Sequence, residues 1–227
     1  MATAKPLVAG IVCALFVAVP ASAAIGTVAD NPTVRINPAD QARAVQALLA
    51  LKDFAQGWKG GETSPDPLTA PKCPGFDPKE SDLVVSGHAD AAFTYPSGAV
   101  SFHQDVQVLH SPAAVHTDFA RTITAAFGRC LAYRLSKQKG VSAVRIERIR
   151  FPSVGSVSAA YRATLTVRVG KHTVRLADDF VFFGVGRTEY SLNLVAPVQL
   201  SGQLGTFEWS MADLLVKRAT TAAKPCC

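Results

Sequence analysis

The sequence has no GxSxG, no HExxH and no glycine-rich phosphate loop. Their absence removes the usual signatures of serine hydrolases, zinc peptidases and nucleotide-binding folds. No cofactor is expected. No segment repeats at a fixed period, which argues against a solenoid. Basic runs interleaved with aromatics are missing too. The 23 Lys and Arg against 17 Asp and Glu give a formal charge of +6, but the positive residues are scattered. Nucleic acid is therefore not an expected partner, although an anionic cell envelope would attract the chain weakly. Two near-matches fail on placement. Ser136 to Lys139 reads SKQK, but it stands at a charged helix end and no KTG follows. Asp178 and Asp179 are adjacent in a strand-like run, so they point to opposite faces and cannot act on one substrate atom.

What is present begins with the N-terminus. Lys5 precedes an apolar run from Leu7 to Val19, followed by Pro20 and the small residues Ala21 to Ala23. That is the pattern of a secretory signal peptide, and cleavage is expected after Ala23. The run is too short for an ordinary membrane helix of about 20 residues, and no later segment reaches spanning length. Hydrophobic residues make up 48% of the chain and charged residues 18%, an ordered composition. The expected organisation is a signal peptide over 1–23, a linker over 24–35, one domain over 36–218 and a flexible tail over 219–227.

Five cysteines are present. Cys13 lies in the signal segment. An exported chain meets oxidising conditions, so the other four are expected to pair. Cys226 and Cys227 are adjacent in the tail, where bonding to one another is geometrically disfavoured. They are candidates for intermolecular thiols, and a disulfide-linked dimer through the tail follows. Cys73 sits in the proline-rich PKCPGFDPKE. A metal reading lacks a CxxC partner and a nucleophile reading lacks an adjacent base. A staple needs only Cys130, which is the expected partner.

The elements alternate clearly. Asn37 caps and Pro38 opens a helix read through Ala42, Val45, Leu48, Leu49 and Leu51 to a stop at Gly57 and the pair Gly60 and Gly61, with Trp58 just after the stop. Two period-two runs, DLVVSGHADAAF and GAVSFHQDVQVL, flank YPSG and predict a hairpin. Ser111 and Pro112 start a second helix that carries Phe119, Ile123, Phe127 and Cys130 on one side. Four strands follow, over 143–151, 157–169, 173–185 and 188–196. A last helix, about 203–218, carries the stripe Phe207, Met211, Leu214 and Leu215. The expectation is an α+β domain in the order α-ββ-α-ββββ-α, with one antiparallel sheet of about six strands.

The segments LLALKDFAQGWKGG, CPGFDPKESDLVVSGHAD, FGRCLAYRL and RIRFPSVGSVSAAYRATLTV resemble a family of uncharacterised secreted actinobacterial proteins. That family has a DLPxGW-like motif after its first helix, where this chain reads DFAQGW. It also has one cysteine before the sheet and another in the following helix. More broadly the chain is similar to the extracellular sensor domains of mycobacterial Ser/Thr kinases and to PsbP-like lipoproteins. The resemblance implies a disulfide-held, sensor-like module that binds a small ligand or a cell-envelope partner without catalysis.

One polar constellation stands out. A hairpin turning at Tyr95 and Pro96 would set His88 opposite His103. Asp90 and Asp105 would lie on the same face, which is read as a solvated outer face. Two imidazoles and two carboxylates there are a candidate divalent-metal site. The competing expectation is a secreted metal-dependent hydrolase working on that face.

Overall fold

The computed structural model describes residues 30–95 and 98–222. The expected signal peptide with Cys13, residues Pro96 and Ser97, and the cysteines Cys226 and Cys227 lie outside the described residues. In chain order the elements are β1 (Thr33–Val34), α1 (Pro38–Gln46), β2 (Lys59–Thr63), β3 (Val84–Thr94), β4 (Ser101–Leu109), α2 (Pro112–Thr122), α3 (Ala125–Ser136), β5 (Val141–Ile149), β6 (Val157–Val169), β7 (His172–Val185), β8 (Thr188–Pro197) and α4 (Ser201–Ala222).

The α+β class holds, but the sheet has eight strands where about six antiparallel ones were expected. Its order is β1-β3-β4-β8-β7-β6-β5, with β2 also on β3. β1 runs parallel to β3, and all other pairings are antiparallel. The two extra strands come from sequence with no strand signal. β1 is two residues long, in the stretch read as linker. β2 is KGGET, whose two glycines remove any alternating pattern. Gly60 has φ 133°, and a Cβ there would sit 2.0 Å from the Ala92 carbonyl oxygen, so only glycine fits against β3.

The helices are shorter than their patterns suggest. α1 is capped by Asn37, which accepts from the Asp40 N–H. It ends at Gln46, because the buried Gln104 of β4 takes over its last turn. The Gln104 amide donates to the Ala47 carbonyl at 3.0 Å, and its oxygen accepts from the Leu49 N–H at 2.8 Å. Leu48 and Leu49 are buried just past the helix, and a separate 3-10 turn spans Leu51–Asp53. The second predicted helix is two. Ile123, at φ −85° and ψ 65°, leaves the helical region within a β-branched triplet, Thr122 to Thr124. Such residues have low helix propensity.

Helices cover both faces. On one, α1 and α4 bury Ala44, Leu204, Met211, Ala212 and Leu215 against Ala91, Phe102, Val106, Val181 and Leu192. Trp58 folds back here and stacks on Phe207, centroids 5.8 Å apart. On the other face, Phe127 and Cys130 of α3 pack on Ala159, Tyr161 and, with the 64–82 segment, on Phe76. A disulfide joins Cys73 to Cys130 across 57 positions and ties that segment to α3. The start of α1 is locked to β3 at a register shift between Val85 and Gly87. There Ser86 donates to the buried Asp40 carboxylate at 2.6 Å, and Arg187 pairs with the same group.

Candidate functional site

The site grows from strand parity. β3 and β4 pair with Asp90 opposite Asp105, His88 opposite Gln107, and His103 opposite Ala92. The expected pairing of His88 with His103 is thus wrong. The turn is centred two residues further along, which moves each partner by four positions. An even shift leaves every side chain on its own face, so His88, Asp90, Asp105 and His103 remain together. β8 extends the same face, because Ser191 is opposite Asp105 and Glu189 is opposite Gln107.

This face is not the solvated surface expected. His88 is 8% exposed and Asp90 2%. Residues 64–82 come over it, and the Asp66 N–H donates to Asp90 Oδ2 at 2.9 Å. Asp118 of α2 sits near enough to Glu189 to act on its ionisation.

His88 Nε2 lies 2.6 Å from Asp105 Oδ2 and 3.5 Å from Asp90 Oδ1. One ligand atom from each of these three residues lies within 4.8 Å of the others. His103, whose side chain is 42% exposed, stands at the rim with Nε2 3.8 Å from Asp90 Oδ2. Gln107 Nε2 donates to Asp105 Oδ1 at 3.0 Å. Each aspartate therefore has one oxygen held by a neutral donor and the other facing His88. Asp90 Oδ1 and Glu189 Oε1 are buried without any hydrogen-bond partner.

The charges are unbalanced. Burial pulls the His88 pKa down, but the Asp105 hydrogen bond and the charges of Asp105 and Asp90 outweigh it and raise it to about 9. Burial also raises the pKa of Asp90, but His88 and the Asp66 amide hold the net value below its ordinary one. Burial pushes Asp105 up. Burial, then the charges of Asp118, Asp105 and Glu80, push Glu189 well up. Glu80 reaches about 7, through burial first and Asp118 second. Among the described residues, no lysine or arginine forms an ion pair with Asp90, Asp105 or Glu189.

Glu189, Glu80 and Asp118 were not singled out in the sequence. For Glu189 the signal was the alternation of Glu189, Ser191 and Asn193 with Tyr190, Leu192 and Leu194, which marks a polar stripe in β8; Glu80 and Asp118 carried none. Asp178 and Asp179 point apart as expected. Asp178 accepts from Asn193, while Asp179 on the other face takes both bonds of Arg162. Cys73 and Cys130, bonded to each other, offer no thiolate.

No protein-family model matches the chain, and no curated protein matches it. Among solved structures, the extracellular domain of PknH from Mycobacterium tuberculosis is similar over 78% of this chain and 96% of that chain. The identity is 10% and the TM-score 0.44. A likeness this loose carries no argument about function.

Proposed function

We propose that this chain is an extracytoplasmic, non-enzymatic binding module that captures a cation on the buried face of β3, β4 and β8. One observation carries the reading. Among the described residues, Asp90, Asp105 and Glu189 share that face with His88 and, at the rim, His103 as their close basic partners, and two of their oxygens, Asp90 Oδ1 and Glu189 Oε1, are buried without a donor. Buried carboxylate oxygens without a donor are costly, and such groups lower the cost by taking up a proton or a cation. The internal disulfide supports an oxidising compartment. A second reading, a metal-dependent hydrolase, draws on the same His and Asp ligands. It requires turnover of simple ester or phosphoester substrates that is lost on His88→Ala.

The test is thermal unfolding in the chloride salts of spermidine, magnesium, calcium and zinc, with sodium chloride at matched ionic strength. A cation at about 100 times its Kd adds about 2.7 kcal/mol, which is ~5–10 °C in Tm for a chain of this size. We expect at least one cation to raise the Tm of the wild type and to leave Asp90→Asn/Asp105→Asn unmoved. If no cation raises it above the sodium control, the proposal is wrong.

A further inference from the structure

The ligand class can be narrowed. Resting on the cation-binding reading above, we propose that the site holds a first-row divalent transition metal, with His88 Nε2, Asp90 Oδ1 and Asp105 Oδ2 as its protein ligands.

Four features of the site support this. First, the donor set is one imidazole nitrogen and two carboxylate oxygens. That mixture suits zinc, manganese or iron better than the all-oxygen shells preferred by calcium and magnesium. Second, the three ligand atoms already lie within 4.8 Å of one another. Small side-chain shifts bring them to a common centre at about 2.0–2.2 Å from each.

Third, each carboxylate is oriented by a donor on its other oxygen. The Asp66 N–H holds Asp90 Oδ2, and Gln107 Nε2 holds Asp105 Oδ1. Supports of this kind fix the ligands of protein metal sites. Fourth, Asp90 is 98% buried, being 2% exposed. Its Oδ1 points into the cluster and has no hydrogen-bond partner. The 3.5 Å approach to His88 Nε2 is an ion-pair distance without hydrogen-bond geometry. A metal would satisfy that oxygen. It would also displace the proton between His88 Nε2 and Asp105 to solvent, so the protein gains two positive charges and loses one. His103 at the rim, or water, completes the shell.

The experiment uses tag-free protein in a Cys226→Ser/Cys227→Ser background, which removes tail thiols that would bind zinc on their own. Isothermal titration with zinc chloride and the visible spectrum with cobalt(II) chloride are read together. The expected result is one equivalent of zinc and a cobalt spectrum with an imidazole-containing ligand set. Asp90→Asn, which preserves size and the Asp66 bond, should weaken zinc at least 100-fold with an unchanged circular dichroism spectrum. Gln107→Ala should weaken it about 10-fold, as expected for an orienting residue. If zinc binds with equal affinity in Asp90→Asn, or in His88→Ala that remains folded, the ion sits elsewhere and the inference is overturned. If zinc and cobalt fail to bind while spermidine or calcium still raises the wild-type Tm, the metal class is wrong and the cation-binding reading survives. If nothing binds, both fall.

Discussion

Glu208 of α4 is 1% exposed, and neither of its oxygens has a hydrogen-bond partner. It faces Asp179, whose two oxygens are already taken by Arg162 at 2.6 and 2.5 Å. A second buried carboxylate beside an ionised one is favoured in its protonated form. Burial first, then the charge of Asp179, raise Glu208 to about 9 from 4.5. The group is therefore neutral in the fold at neutral pH and ionised in the unfolded chain. Below about pH 4.5 both states hold the proton and its stabilising contribution is complete. Between 4.5 and 9 only the folded state keeps it, so stability falls by about 1.4 kcal/mol per pH unit. Above 9 the contribution is gone. Glu208→Gln replaces the carboxylic acid with an amide that donates to Asp179 at any pH. Urea unfolding of both proteins at pH 5, 6.5 and 8 isolates the group, because every other titration is common to the pair. The variant should match the wild type near pH 5 and exceed it by a few kcal/mol at pH 8. A difference that stays constant with pH would mean that Glu208 is not the proton-holding group.

Other consequences follow from the packing. Cys73→Ser and Cys130→Ser each remove one bond spanning 57 positions, worth about 4 kcal/mol in the chain-entropy picture. The double variant should cost little more than either single in denaturant unfolding, and clearly additive losses would contradict a shared bond. Gly87→Ala would bring a Cβ within 2.2 Å of the Asp40 carbonyl oxygen and 2.9 Å of the Gln41 nitrogen. Because both are backbone, α1 must shift, and a loss of about 1–3 kcal/mol is expected from the urea midpoint. An unchanged midpoint would mean that α1 docks more loosely than its contacts suggest.

The features legible in the sequence were local. Asn37 and Ser111 announced their helices, and both side chains accept the capping bond. Strand alternation placed β3 through β8 to within a few residues, and it put His88, Asp90, Asp105 and His103 on one face. What alternation cannot give is the partner of each residue, because any even shift preserves parity. Hence the face was right and the pairing of His88 wrong. Nor can it show what covers a face. Segments distant in sequence do that here: residues 64–82, held by the Cys73–Cys130 bond, reach Asp90 through the Asp66 N–H, and α2 brings Asp118 near Glu189. Glu80, Asp118 and Glu189 converge only through that tertiary arrangement. The break at Ile123 and the capture of the end of α1 by Gln104 were hidden for the same reason, since a helical pattern continued through both.

The most direct test of the account is anomalous X-ray scattering at the zinc edge from crystals of the chain grown with zinc chloride. The account predicts a single strong peak at about 2.0–2.2 Å from His88 Nε2, Asp90 Oδ1 and Asp105 Oδ2, absent in Asp90→Asn. Zinc density only at surface positions, with His88 still hydrogen-bonded to Asp105, would contradict it.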